Sequence, residues 1–124
     1  DLGGLEAATL QAWTWYDLEP DYDYGYVSAS ADGGETWTIL ANEHTTTRDP
    51  SDSSFGPALT GLSGGGPVAK WVQQSFDLTP FAGGPVLVRF EVVSDDSVNH
   101  PGLALDDIWQ YRARLTCPVI LPSR

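Results

Sequence analysis

The apolar residues of this chain recur at every second position and, over anything longer than a turn, never at every third or fourth. That spacing excludes helix as the main element and leaves strand. The clearest case is residues 85–94, where Val86, Val88, Phe90 and Val92 fall on one side and Arg89 and Glu91 on the other. Such a segment reads as an antiparallel strand with one face in the core and one in water. Residues 9–16 alternate Leu10, Ala12, Thr14 and Tyr16 with Trp13 and Trp15, again strand spacing with aromatic enrichment. A strand is predicted over 25–31, ending at Asp32-Gly33-Gly34, where glycine supplies the positive φ of a tight turn, and 35–40 is predicted to return as its hairpin partner. Further strands are predicted over 70–78 and 103–112. The polar stretch 42–68 holds too many breakers for a regular element, and a loop that long is expected to be functional or partly disordered.

Six or seven short strands joined by Gly/Pro turns predict an all-β fold, an antiparallel two-sheet β-sandwich, because 124 residues cannot close a roomy barrel and still fill it. Residues 1–114 are read as one domain and 115–124, with Pro118 and Pro122, as a C-terminal tail. Cys117 stands alone, so no disulfide staples the fold, and it is either a free thiol or an intermolecular link. Methionine is absent even at position 1, from which a piece excised from a longer polypeptide is expected.

Charge narrows the partners. Residues 1–62 hold eleven acids and one base, a net of −10, whereas 63–124 hold six acids and five bases, a net of −1. With no Lys/Arg cluster, phosphate backbones and anionic membranes are repelled, so nucleic-acid binding is excluded. No apolar run approaches the length of about 20 residues needed to span a bilayer, so no membrane insertion is expected.

The acidity is concentrated at Asp17, Glu19, Asp21 and Asp23, every second residue, with Tyr22, Tyr24 and Tyr26 in the gaps. In an extended backbone the carboxylates project together. Hard oxygen donors at that density suit Ca2+, which takes six to eight of them; the bland alternative is that each acid splays into water. Asp106-Asp107 is the second anomaly. Set among Leu103, Leu105 and Ile108, one of the pair is expected to face buried territory, where an unpaired charge is costly, unless a bulge exposes both. The candidate metal ligands are therefore Glu19, Asp21, Asp23, Asp106 and Asp107. Exposed indoles and phenols can also stack on sugar rings, which makes Trp13, Trp15, Tyr22 and Tyr24 candidate ligand-binding residues, with Trp37, Trp71 and Trp109 read as structural. Catalysis has no support: there is no His-Glu-x-x-His, His44 and His100 lie in separate loops, and no Gly-x-Ser-x-Gly elbow is present.

Several segments in order carry a family resemblance: Trp13-Thr-Trp-Tyr-Asp-Leu-Glu19, Asp21-Tyr-Asp-Tyr-Gly-Tyr-Val27, Ser30-Ala-Asp-Gly-Gly-Glu-Thr-Trp37, Phe76-Asp-Leu-Thr-Pro-Phe-Ala-Gly83, Val86-Leu-Val-Arg-Phe90 and Leu105-Asp-Asp-Ile108. Together they resemble the MAM-like jelly-roll module of the immune inhibitor A (M6) secreted metallopeptidases, a galactose-binding-like sandwich. The resemblance implies a non-catalytic, calcium-stabilised accessory domain of a secreted peptidase or surface protein. Its expected partner is a neighbouring domain of the parent chain or an extracellular protein. Two other functions remain open, a carbohydrate-binding module that takes a polysaccharide and a structural subunit of a cell-surface assembly that uses the apolar tail around Val119-Ile120-Leu121.

Overall fold

The computed structural model describes residues 1–4, 7–95, 97–113 and 121–123. They form seven strands: β1 (Ala7–Asp17), β2 (Tyr24–Ser30), β3 (Thr38–Ile39), β4 (Val72–Asp77), β5 (Leu87–Val93), β6 (Gly102–Ala113) and β7 (Leu121–Ser123), with one 3-10 turn at Thr79–Phe81. Two antiparallel sheets, β4-β1-β6-β7 and β3-β2-β5, make the expected all-β sandwich of MAM or jelly-roll kind.

Period-two alternation decides what each face of β1 does. Ala8, Leu10, Ala12, Thr14 and Tyr16 are buried, while Trp13 and the residues alternating with it point away from the core. Ala8 and Leu10 meet Leu2, Val27, Ala29, Leu40, Phe76 and Leu78 between the sheets, and Tyr16 packs with Leu18 and Leu59. Burial of a side chain such as Phe76, 1% exposed, contributes on the order of 1.5–3 kcal/mol.

β2 departs from alternation, because all seven of its residues are buried. Its inner face joins the core, and its outer face is covered by the long loop 42–62: Tyr24 and Tyr26 pack with Ala58, and Tyr26 also meets Phe55. Backbone bonds pin that loop in place, Gly25 with Leu59 and Thr46 with Ala58, each in both directions. A buried amide also anchors it: the Gln74 side-chain oxygen lies 2.8 Å from Asn42 Nδ2 and 2.9 Å from His44 Nδ1, while its Nε2 donates to Thr14 Oγ1. The long stretch therefore acts as a structural cover for the second sheet, and His44 is part of its fastening.

The hairpin after β2 differs from the sequence expectation. Only Thr38–Ile39 pairs with β2, because residues 30–36 are held in a wide loop by Asp32. The Asp32 carboxylate accepts the Thr36 N–H, the Thr36 hydroxyl and the Ser30 hydroxyl, and these bonds hold its acid well below the ordinary carboxylate range, at about 2. β7 falls in the segment read as a tail and pairs with β6; Cys117, Val119 and Ile120 lie outside the described residues.

Candidate metal centre

β1 ends at Asp17, and the chain must turn to enter β2 at Tyr24. Leu18 is buried with its N–H on the Gly61 carbonyl at 2.9 Å, and Pro20 blocks continuation of the strand. The Glu19 carbonyl accepts the N–H groups of Tyr22 and Asp23, at 3.2 and 2.9 Å. Asp21 sits at the crest with φ of 67°, a left-handed conformation that Asp tolerates better than most residues. Thr60 braces the turn from the long loop, donating to the Asp23 carbonyl at 2.8 Å and accepting the Asp21 N–H at 3.2 Å.

This turn sets which acids meet. Glu19 and Asp23, four residues apart, come together, and Asp21 is carried outward to Arg48, whose Nε lies 3.3 Å from it. The third member is Asp95, just beyond β5. Because Tyr24 pairs with Val93, the residues flanking those two positions must be neighbours. One ligand oxygen from each of Glu19, Asp23 and Asp95 lies within 4.8 Å of the others. Asp23, 2% exposed, straps the loops together: its Oδ2 accepts the Glu19 N–H at 3.3 Å and its Oδ1 the Asp95 N–H at 3.0 Å. Ser97 fixes Asp95 by donating its N–H and its hydroxyl to the two carboxylate oxygens.

The electrostatics of the group are unfavourable as it stands. Burial raises the Glu19 carboxyl above the ordinary carboxylate range, the charges of Asp95 and Asp23 raise it further, and His100 opposes them. Glu19 Oε2 is buried without a hydrogen-bond partner. His100 Nδ1 lies 2.8 Å from Asp17 Oδ1, and that bond, followed by the nearby negative charges, raises its own pKa against the effect of burial. The donor set fits a hard divalent cation: at bond lengths of about 2.3–2.6 Å, oxygens on opposite sides of one ion lie up to about 5 Å apart, so three oxygens spaced this closely can share one.

Of the sequence candidates, Glu19 and Asp23 belong to this group and Asp21 does not. Asp106 and Asp107 are a correction: neither faces buried territory. The register of β1 with β6 slips between Gln11 and Trp13, and the resulting bulge, with Asp107 at φ of 46°, leaves both aspartates exposed, the Asp107 N–H bonded to Asp106 Oδ1. The acids that converge therefore come from the β1–β2 and β5–β6 loops. Asp95 was missed although Ser94-Asp-Asp-Ser97 directly follows the most legible strand. Tyr24 is also corrected as a stacking residue: it is 1% exposed and its hydroxyl donates to Asp49, whereas Tyr22 stays 49% exposed.

Fold and loop cluster together define an all-β MAM-type sandwich with Glu19, Asp23 and Asp95 gathered between two loops. The chain belongs to the family described as Immune inhibitor A-like, MAM domain, which matches residues 1–111. As a member of it, the domain is a non-catalytic accessory module. It is 35% identical over 101 residues to the pre-pro-metalloprotease PrtV of Vibrio cholerae serotype O1, in strains M66-2 and ATCC 39315 / El Tor Inaba N16961, which covers 82% of this chain and 10% of that protein. It is 27% identical over 99 residues to bacillopeptidase F of Bacillus subtilis strain 168, 80% of this chain and 5% of that protein. The chain thus spans a tenth or less of the length of these curated relatives.

Proposed function

We propose that this domain is an extracellular accessory module of a secreted peptidase, stabilised by calcium and serving to dock a neighbouring domain or an extracellular protein. The observation that carries the cation is the buried, partnerless Glu19 Oε2 beside the carboxylates of Asp23 and Asp95. Those three residues would hold the ion, which supplies positive charge between two loops that otherwise repel. Calcium is preferred because every donor is a hard oxygen and water can complete a loose shell of six to eight. Secretion is supported by kinship with a pre-pro-metalloprotease and a bacillopeptidase. Among the described residues, no helix is long and apolar enough to cross a membrane.

An ion that binds only the folded state adds about 2.7 kcal/mol when its free concentration is a hundred times its dissociation constant. Thermal melts of the domain stripped of metal, with and without added calcium, test this. A clear rise of the midpoint with calcium is expected, and an unchanged midpoint in protein shown to be metal-free would overturn the calcium role.

A further inference from the structure

Trp13, Trp15 and Trp109 stand on the outer face of the four-stranded sheet with Trp71 just before β4, and their order across the strands is not random. Trp13 lies between Gln73 of β4 and Asp106 of β6, and Gln11 lies opposite Ser75 and Trp109. Trp71 immediately precedes β4, whose last registered pair with β1 is Val72 with Thr14, so it stands near the Trp15 end of the row. The indoles therefore form a diagonal stripe, Trp71, Trp15, Trp13, Trp109, that crosses three strands. At about 6.7 Å per two residues along a strand and about 4.8 Å between strands, it runs roughly 16–17 Å. Trp13 is 39% and Trp71 49% exposed. One bank of the stripe is a pair of amides, with Gln73 Nε2 donating to Gln11 Oε1 at 3.3 Å; the other is Ala104 and the exposed Asp106.

The chemistry of this face selects its partner. No Lys or Arg occurs in β1, in β4 or in residues 102–110, so polyanions find no counter-charge there. The exposed branched aliphatic of those strands, Ile108, borders the cavity lined by Leu2, Leu10 and Leu78 and not the indole row, so the row lacks the aliphatic filling that closes the dry centre of a protein interface. It offers flat indole surfaces, amides that donate and accept, and a carboxylate that accepts from hydroxyls. That combination matches a neutral sugar chain, whose rings present C–H faces to an indole and hydroxyls at their edges. A stripe of this length suits a run of several rings in an extended, β-linked chain. We infer that the outer β4-β1-β6 face binds an uncharged β-linked polysaccharide along the stripe Trp71-Trp15-Trp13-Trp109.

Affinity electrophoresis of the 124-residue chain through gels containing hydroxyethyl cellulose, mixed-linkage β-glucan or β-1,3-glucan, with sedimentation on insoluble cellulose and chitin, tests the inference. Retention by at least one of these polymers is expected. Trp71→Ala and Trp13→Ala should each weaken it about tenfold, while Phe55→Ala, an exposed aromatic in the loop that covers the other sheet, leaves it unchanged. Melting curves establish that each variant is folded, and runs in calcium and in chelator separate failure of this inference from failure of the cation reading. Absence of retention by every polymer, or retention indifferent to both tryptophan variants, overturns the inference. So does burial of Trp13 and Trp71 against another part of the full-length parent protein, measured by indole oxidation, because the face would then be a domain contact.

Discussion

Replacing Asp23 by alanine separates its two contributions to the acidic end. In the absence of metal, the carboxylate accepts the N–H groups of Glu19 and Asp95 at 3.3 and 3.0 Å from a position 2% exposed. Its removal strands two partly buried backbone donors at about 1–3 kcal/mol each. Because the longer bond is weak and water reaches the loop edge, a total of about 2–4 kcal/mol is expected. With an unfolding entropy of roughly 2.1 cal/mol/K per residue over 124 residues, each kcal/mol shifts the midpoint by about 4 °C. The variant should therefore melt about 8–15 °C below the parent in chelator at neutral pH. The second contribution appears on adding calcium. The parent should gain on the order of 10 °C at a hundredfold excess over its dissociation constant, and the variant little or nothing. Scanning calorimetry with circular dichroism reads both. A loss below about 1 kcal/mol in chelator refutes the strap, and an undiminished calcium gain in the variant refutes the shared site.

Two further outcomes follow from the same geometry. Glu19→Gln should move metal-free and calcium-loaded stability in opposite directions: it relieves like-charge repulsion, so the variant melts higher than the parent in chelator but gains less from calcium, as differential scanning fluorimetry would show. Metal-free protein should lose stability as pH rises from the ordinary histidine value of 6.5 through the higher folded value of His100, since a raised pKa gives stability that is full below the unfolded value and lost above the folded one. The raised Glu19 carboxyl acts in the same direction from 4.5 upward; urea unfolding against pH should show His100→Ala flattening only the upper part of the decline.

The sandwich was legible where apolar alternation runs between turns rich in Gly or Pro; β5 and the two faces of β1 follow directly from it. Two kinds of information were not in the local pattern. The first is turn geometry: alternate acids suggested an extended array, whereas Pro20 and the bonds to the Glu19 carbonyl fold 19–23 back so that residues four apart meet and Asp21 leaves. The second is tertiary pairing. Asp95 joins Asp23 only because β5 lies antiparallel to β2, and Asp107, which alternation from Leu105 would turn inward, is exposed with Asp106 because a bulge interrupts β6 against β1. The Trp13 and Trp15 pair was visible in the chain, but its extension through Trp71 and Trp109 needed the order of β4 and β6 about β1.

β1 is where these features are tied together, and the reason is its register. Its inner residues build the core, its outer residues supply the middle of the indole stripe, and its last residue, Asp17, holds His100 and with it the loop that follows Asp95. A slip of one residue against β4 or β6 would move Trp13 and Trp15 inward and Leu10 and Ala12 outward. The register is protected on both sides, by the Gln74 network against β4 and by the bulge that resets β6 after Asp106. The bulge thus gives the exposed aspartate pair a structural reason independent of any cation: it keeps Asp106 outward beside Trp13 and returns Trp109 to the outer face beside Gln11. Deleting Asp107 should leave Ile108 alone opposite Ala12, so that β6 pairs one-to-one with β1 and both Asp106 and Trp109 keep their outward facing, whereas inserting a residue there instead should turn Trp109 off the outer face or Leu103 and Leu105 out of the interior.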